Sequence, residues 1–332
     1  MIAKVALYYG DQRTETLRAA LEAVIDQIPW NTRQDVVVKP NLVMESRPYA
    51  ITHREALAVT LEMIRDRYSG KLTIAEGCAV SSTREAFANQ RYNELAQRFD
   101  CRLVDLNTDE PVPVIVHDKQ LADLHLRLSR TIVESDCRVS LCLPKTHDAV
   151  LVTLSLKNMI MGSLVNRRLS ERPERPFWLD RVDQIMHGHG NGRGSDKLAM
   201  HQSFPVMNLN LALLAPLVTP HLSVVDGFIA MEGEGPVNGD PIPWGVAFAG
   251  TDALAVDATV AGLMGFPIEQ VGYLHYCARL GLGAYRPEEI DLIGNVDPAS
   301  IARNFRPHPR HEEQRKWQFP DVEERLFQNA RA

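Results

Sequence analysis

The chain has 332 residues and a formal net charge of −6 at pH 7. Hydrophobic residues make up 45% of it and charged residues 23%, which is typical of a globular protein. The acidic balance argues against a general nucleic-acid binder, which would carry a basic face. The five cysteines form no C-x-x-C pair, residues 1–10 lack the apolar core of a signal peptide, and no apolar run could span a bilayer. We therefore expect a cytoplasmic protein with reduced thiols and no membrane partner.

Apolar, β-branched runs alternate with helical patterns along the first third of the chain. Strands are predicted at residues 5–9, 35–38, 71–75 and 101–106. Helices, with apolar residues three or four apart, are predicted at residues 14–28, 53–68 and 81–96. Strands and helices that alternate in this way are typical of a parallel sheet. The short alternating runs of residues 108–130 predict an antiparallel excursion.

The same alternation continues in the rest of the chain. A buried strand at residues 138–143 ends at Pro144, because proline cannot donate to a sheet ladder. Later strands are predicted at residues 222–225, 246–249 and 290–293. Later helices are predicted at residues 205–218, 253–264 and 268–280. The expected fold class is α/β, with a central, mostly parallel sheet and helices on both faces.

Composition also suggests how the chain is divided. We expect a single α/β domain over residues 1–300. Residues 166–197 are rich in arginine, proline and glycine, which predicts a long flap or insertion. Residues 301–332 are polar and aperiodic, and are expected to form a surface extension that wraps the domain or frays. The oligomeric state stays open, with a homo-oligomer among the expectations.

A dense polar cluster follows the strand that ends at Pro144. Lys145 and His147 come at once, and Lys157 and Asn158 come a short segment later. Two ammonium groups, an imidazole and an amide are costly to place beside a core unless an anion pairs with them. One interpretation is a solvated loop with a chance Lys-Thr-His. The other is a ligand site in which the two lysines and the histidine are catalytic.

Similar polar clusters follow other predicted strands. They are Lys39 with Asn41, Glu76 with Gly77, Asp226 by itself, and Gly250 to Asp252. Ligands of open α/β sheets bind outside the carboxyl ends of the strands, so we expect these clusters to converge on one crevice. Candidate ligand-binding residues there are Lys39, Asn41, Asn158 and Asp252. At Asp252 an ordinary helix cap is the strong alternative.

The segment that begins at Gly77 leads from a strand into a helix. Backbone N–H groups and hydroxyls at a helix start favour an anion, which makes Gly77, Ser81, Ser82 and Thr83 candidate ligands. Ordinary N-capping by the same hydroxyls is the equal alternative.

Residues 231–239 are rich in glycine and superficially resemble a dinucleotide fingerprint. The third glycine is misplaced, and a strand is expected to follow, so the segment is not one. Gly233 and Gly235 suggest either close backbone approach to a ligand or left-handed turns. Glu232 and Glu234 could be metal ligands, bases or solvated carboxylates.

Asp257 lies in an almost wholly apolar helix, where a buried carboxylate needs a partner. Lys39, Lys145 or Lys157 would serve, either structurally or catalytically. A divalent metal, if one binds, is expected on some members of a mixed nitrogen and oxygen set. The set is His147, His201, Asp226, Glu232 and Glu234. His187 and His189 lie among glycines, which is more typical of a mobile loop.

Several ordered motifs together resemble the family catalogued as domain of unknown function 362. They are Lys39-Pro40-Asn41, Lys145-Thr146-His147, residues 154–158, residues 232–236, and residues 250–252 with Val256-Asp257. The resemblance extends to about Gly294 and implies a domain and functional positions, but no transferable reaction. Some members carry ferredoxin-type iron–sulfur segments. This chain has no C-x-x-C-x-x-C run, so we expect no such cluster.

Two functions of different classes are consistent with these residues. The first is an enzyme that holds a small carboxylate or phosphate with its lysines and transfers protons through His147, with or without a metal. In it, Asp257 would orient the cations or act as base. The second is a non-catalytic binder or carrier of an anionic ligand or cofactor.

Overall fold

The computed structural model describes residues 2–166 and 195–329. The strands are β1 (Ala3–Tyr9), β2 (Asp35–Lys39), β3 (Lys71–Glu76), β4 (Cys101–Asp105), β5 (Pro111–His117), β6 (Asp123–Ser129), β7 (Cys137–Cys142), β8 (Lys145–His147), β9 (Leu151–Thr153), β10 (Leu222–Glu232), β11 (Asp240–Gly250) and β12 (Ile290–Gly294). The helices are α1 (Arg13–Glu22), α2 (Arg54–Arg65), α3 (Thr83–Asn89), α4 (Tyr92–Arg98), α5 (Arg130–Val133), α6 (Ser155–Ser163), α7 (Asp196–Ala199), α8 (Phe204–Val218), α9 (Ala253–Leu263), α10 (Gly272–Arg279), α11 (Pro298–Ile301), α12 (His311–Gln314) and α13 (Pro320–Asn329). Most of the predicted flap at residues 166–197, with His187 and His189, lies outside the described residues.

One large sheet organises the fold. Its strand order is β12-β1-β11-β10-β7-β2-β3-β4, and among these strands β11 alone runs against the others. The β8–β9 hairpin joins this sheet where Lys145 pairs with Met231 of β10. The predicted α/β class and mostly parallel sheet are confirmed. The predicted antiparallel excursion is also confirmed, as the separate β5–β6 hairpin.

Helices cover the sheet on both faces. Alternate side chains of a strand point to opposite faces, so β2 sends Val37 into one core and Val36 and Val38 into the other. The first core is built with α6, α8, α9 and α10, and the second with α1 to α4. None of the described helices is long and apolar enough to cross a lipid bilayer.

Strand direction decides which polar clusters can meet. The parallel strands β2, β3 and β7 end at the same edge of the sheet, which brings Lys39, Glu76 and Lys145 together. Because β11 is antiparallel, its last residue, Gly250, pairs with Ser223 near the start of β10. The structure therefore places Asp252 at the opposite edge, away from the crevice where it was expected.

The chain after residue 300 sends large side chains into the core. Phe305, Trp317 and Leu326 are buried, and the Trp317 ring lies 5.1 Å from the Tyr276 ring and 5.2 Å from the His275 ring, measured between centroids. This extension is therefore anchored by packing at these positions, which its polar composition did not indicate. The boundary predicted near residue 300 stays a prediction.

Candidate functional site

A cavity of about 620 Å³ lies at the carboxyl edge of the sheet, beside the β8–β9 hairpin and α6. Four buried lysines line it: Lys39, Lys145, Lys157 and Lys197. An ammonium group needs three acceptors or a counter-charge to be buried without a large cost. The partners of each lysine therefore indicate its role.

Lys39, at the end of β2, is fully paired. Its ammonium group lies 3.1 Å from Glu76 Oε1. It also donates to Asn158 Oδ1 at 3.0 Å and to the Pro40 carbonyl oxygen at 3.1 Å. Glu76 Oε2 in turn accepts a hydrogen bond from the backbone N–H of Leu42 at 2.9 Å. All three ammonium hydrogens are used, so Lys39 ties β2, β3 and α6 together.

Lys197 is also fully paired, at the C-terminal end of α6. It donates to the carbonyl oxygens of Met161 at 3.0 Å, Gly162 at 2.9 Å and Leu164. A cation is favourable there because the carbonyls of a last helical turn carry partial negative charge. Burial lowers the pKa of Lys197 to about 7, but three acceptors favour the ammonium form, since a neutral amine has two hydrogens.

Lys145 has two acceptors and one open position. Its Nζ donates to Asn41 Oδ1 at 2.7 Å and to the Ala50 carbonyl oxygen at 2.7 Å. No carboxylate in the described part of the chain forms an ion pair with it. Burial, followed by the charge of Lys157, lowers the pKa of Lys145 to about 7. Two acceptors match the two hydrogens of a neutral amine, whose lone pair is then free.

Lys157 forms a pair with His147. Its Nζ lies 2.9 Å from His147 Nε2, and burial lowers the pKa of Lys157 to about 8 and that of His147 well below its usual value. His147 Nδ1 has two alternative partners, the Ala149 N–H at 2.9 Å and the carboxylate of Asp148 at 3.0 Å. If Nδ1 accepts from Ala149, Nε2–H donates to a neutral Lys157. If Nδ1–H donates to Asp148, Nε2 accepts from a charged Lys157. The two states differ by one proton, which Lys157 takes up or releases as the His147 tautomer changes.

The side-chain amides of Asn158 and Asn41 connect Lys39 to Lys145. Asn158 Oδ1 accepts from Lys39 and, at 3.0 Å, from Asn41 Nδ2, while Asn41 Oδ1 accepts from Lys145. Asn158 Nδ2 donates to Ser140 Oγ at 3.0 Å, which fixes the orientation of the amide. Lys39, Asn41, Lys145 and Asn158, which the sequence predicted to share one crevice, all line the cavity.

Asp257 has a different partner from the one expected. Its carboxylate accepts hydrogen bonds from the backbone N–H groups of Ser155 at 2.9 Å and Leu156 at 2.8 Å, and no lysine pairs with it among the described residues. These are the first amides of α6, which carries Lys157. Burial raises the pKa of Asp257 to about 7. Asp257 therefore caps α6 from outside the cavity.

Several candidate ligands also serve as caps. Ser82 Oγ accepts from the backbone N–H of Glu85 at 3.3 Å, and Thr83 Oγ1 accepts from that of Cys78 at 3.1 Å. Asp252 caps the N-terminus of α9. The capping alternative thus describes Ser82 and Asp252, whereas Thr83 bonds to the loop that precedes α3. The described residues that line the cavity include Gly77 but not Ser81, Ser82, Thr83 or Asp252.

The glycines of residues 231–239 allow the backbone to approach other protein groups. A Cβ atom on Gly235, which lines the cavity, would lie 2.0 Å from the Thr146 carbonyl oxygen. Gly233 has a φ of +76° and a Cβ there would meet the Arg306 guanidinium. Both glycines therefore allow close contact with other groups of the protein itself.

The candidate metal ligands are divided between different places. Three of them line the cavity: His147, His201 and Glu234. Asp226 forms a buried ion pair with Arg13 at 3.3 Å, and Glu232 accepts from the backbone N–H of Arg306 at 2.8 Å. Within residues 2–166 and 195–329, no group of three or more His, Cys, Asp or Glu side chains is placed to hold a metal ion.

Comparison of the sequence and of the fold with known proteins shows what this chain is similar to. A profile described as "Domain of unknown function (DUF362)" matches residues 36–262, a range that includes all four cavity lysines. The thylakoid-associated protein sll1697 of Synechocystis sp. is 25% identical over 289 residues, covering 86% of this chain and 76% of that protein. The lactate racemase apoprotein of Thermoanaerobacterium thermosaccharolyticum has a TM-score of 0.43 and 14% identity, over 74% of this chain and 54% of the racemase chain.

Proposed function

The chain belongs to the DUF362 family, and from the geometry of its cavity we propose that it is an enzyme acting on a small anionic molecule by acid–base chemistry. The observation that carries this proposal is the contrast among the four buried lysines. Lys39 and Lys197 have three protein acceptors each, whereas Lys145 and Lys157 keep hydrogen-bonding positions that no described residue fills.

The open positions suit an oxyanion. As an ammonium group, Lys157 has one hydrogen directed to His147 and two left for a ligand. A buried cation without a counter-charge is costly, so a carboxylate or phosphate oxygen there would gain a charge-assisted hydrogen bond. Such a bond contributes about 1.5–3 kcal/mol.

Proton transfer is available at the same place. Lys157, which lies against His147 Nε2, has a pKa of about 8 and Lys145 has a pKa of about 7, so each can take up or release a proton near neutral pH. Perturbed pKa values of this kind cluster at functional sites.

Isothermal titration calorimetry with acetate, oxalate, inorganic phosphate and pyrophosphate tests the anion site. We expect at least one probe to bind the wild type, and Lys157→Met to weaken it about 10- to 100-fold, the equivalent of one charge-assisted hydrogen bond. Lys71→Met is the matched control, because Lys71 is an exposed lysine that pairs with Asp35. Failure of every probe to bind the wild type, or equal binding by Lys157→Met, would contradict the proposal.

A non-catalytic binder would pass the same titration. Product analysis after incubating the wild type with each tightly bound small anion separates the two functions. Conversion that is lost in Lys145→Met is expected for the enzyme. Binding with no conversion of any ligand would favour a carrier instead.

A further inference from the structure

We propose that Lys145 is a nucleophile that forms a Schiff base with an oxo acid, a small molecule that carries both a carbonyl group and a carboxylate. The inference rests on the proposed anion site and assigns its substrate class. It is carried by the arrangement of groups around Lys145 Nζ.

The acceptors of Lys145 suit the neutral amine. Asn41 Oδ1 and the Ala50 carbonyl oxygen, both at 2.7 Å, are uncharged and take two hydrogens. A primary amine has two hydrogens and one lone pair, so its lone pair occupies the remaining position. Lys145 is among the residues that line the cavity, so a ligand bound there would contact this side chain. Lys197, with three carbonyl acceptors, shows the opposite arrangement, which suits an ammonium group.

Burial lowers the pKa of Lys145 to about 7, and Lys157 is the neighbouring charge that lowers it most. The charged and titratable groups that act on it come from four elements: Lys157 on α6, Lys39 at the end of β2, Glu76 at the end of β3 and Cys142 at the end of β7. The two lysines lower its pKa, whereas Cys142 and Glu76 raise it, and Glu76 is already paired with Lys39. A lysine beside a second cation in a buried site is a recognised way to obtain an amine nucleophile.

The two open lysines then have complementary roles. Lys145 has two uncharged acceptors, which suit an amine, whereas Lys157 lies against His147 Nε2, which can accept from an ammonium. The ammonium binds the carboxylate of the substrate. The amine faces its carbonyl carbon.

The step is balanced by one proton and one water molecule. The lone pair of Nζ forms a bond to the carbonyl carbon, the carbonyl π electrons move to oxygen, and that oxygen takes up protons and leaves as water. The amine, the carbonyl compound and one added proton thus become an iminium ion and water. The Lys157–His147 pair lies at the same cavity and can supply that proton.

Reductive trapping tests the inference. The full chain is incubated with pyruvate, 2-oxobutanoate or 2-oxoglutarate and sodium cyanoborohydride, and the adduct is located by intact mass and peptide mapping. We expect one adduct, at Lys145, with at least one of the three acids. Its yield should rise with pH through a midpoint near 7. The 2-hydroxy counterparts of the acids should bind without forming an adduct.

Two variants keep the result interpretable. Lys145→Met should abolish the adduct. Asn41→Asp should lower its yield at pH 7 by at least tenfold and move its pH midpoint upward, because a carboxylate in place of Asn41 Oδ1 would pair with Lys145 and favour the ammonium. Circular dichroism and thermal unfolding confirm that each variant folds, and mapping of the wild type does not depend on either variant.

The outcomes separate the two proposals. The assignment of Lys145 as the nucleophile would be wrong if an oxo acid bound without forming an adduct, or if adducts formed only at Lys157 or on exposed lysines. Either result would be compatible with the proposed anion site. No binding of oxo acids, hydroxy acids or the inorganic anions would overturn the proposed function as well.

Discussion

Gly162 lies directly against Lys39. A Cβ atom built on Gly162 would fall 1.8 Å from Lys39 Cε and 2.0 Å from its Nζ. Gly162 is in the last turn of α6, so the absence of a side chain there lets the ammonium of Lys39 reach between α6 and the Glu76 carboxylate. A single glycine thus makes room for the ion pair that supports one wall of the cavity.

Replacing Gly162 with alanine should therefore destabilise the protein. Gly162→Ala would push Lys39 away from Glu76, and we expect a loss of about 1–3 kcal/mol in the free energy of unfolding, the usual cost of overpacking. Urea denaturation measures it. Gly262→Ala is the matched control, since Gly262 lies in α9 and a Cβ there would meet nothing within 4 Å. That change should be neutral or stabilise by up to about 1 kcal/mol. Equal stability of the two variants would contradict the packing argument.

The buried lysines should make stability depend on pH. Lys145 and Lys157 have pKa values lowered from 10.5 to about 7 and about 8. From pH 7 to about 10, the unfolded chain binds protons that the folded chain has lost, so stability should rise with pH. Each such group contributes about 1.4 kcal/mol per pH unit at most. Lys145→Met should flatten the rise in chemical denaturation between pH 7 and 10. An unchanged slope would argue against the lowered pKa.

Asp257 should act through α6. Asparagine keeps one of its two acceptors, so Asp257→Asn is expected to cost about 1–3 kcal/mol, the penalty of one unsatisfied buried amide. The pKa of Asp257 is raised to about 7, so the folded state binds the extra proton and the wild type loses stability as pH rises from about 4 to about 7. Its advantage over Asp257→Asn should shrink across that range.

The control for this variant is Asp252→Asn, which alters the partly exposed cap of α9 and should cost less. Denaturation curves at pH 4 and pH 7 provide the comparison. An Asp257→Asn protein with wild-type stability at both pH values would show that the cap is not needed to hold α6.

The sequence predicted the cavity residues that depend on strand ends. Lys39, Lys145 and Lys157 were placed together because polar residues that follow parallel strands meet at one edge. The same rule failed for Asp252, since the antiparallel direction of β11 is set by its pairing with β1 and β10 and not by its local pattern. Asp226 lies within β10, which is longer than the predicted strand, and pairs with Arg13.

Lys197 was missed for a related reason. It was included in the predicted flap, with no role, because its three carbonyl acceptors lie 33 to 36 residues earlier and form a pattern only after α6 has folded. Likewise, the amides that pair with Asp257 lie about 100 residues away, so the sequence indicated that a partner was needed but not which one. Residue patterns in the sequence do not show which distant segments come into contact.

Lys39 and Lys197 stabilise the fold, and we propose that Lys145 and Lys157 bind the ligand. The most direct test of this claim is the free energy of unfolding of Lys39→Met, Lys197→Met, Lys145→Met and Lys157→Met, each measured by urea denaturation with and without a saturating anion probe. Lys39→Met leaves the buried Glu76 carboxylate unpaired and should lose about 3–5 kcal/mol without ligand. Lys197→Met should also lose stability. Lys145→Met and Lys157→Met should be less stable than the wild type by no more than about 1 kcal/mol, because cavity water can replace their bonds, but should lose the stabilisation that the probe gives the wild type. A loss for Lys145→Met and Lys157→Met as large as that for Lys39→Met, with the probe still stabilising both, would contradict the claim.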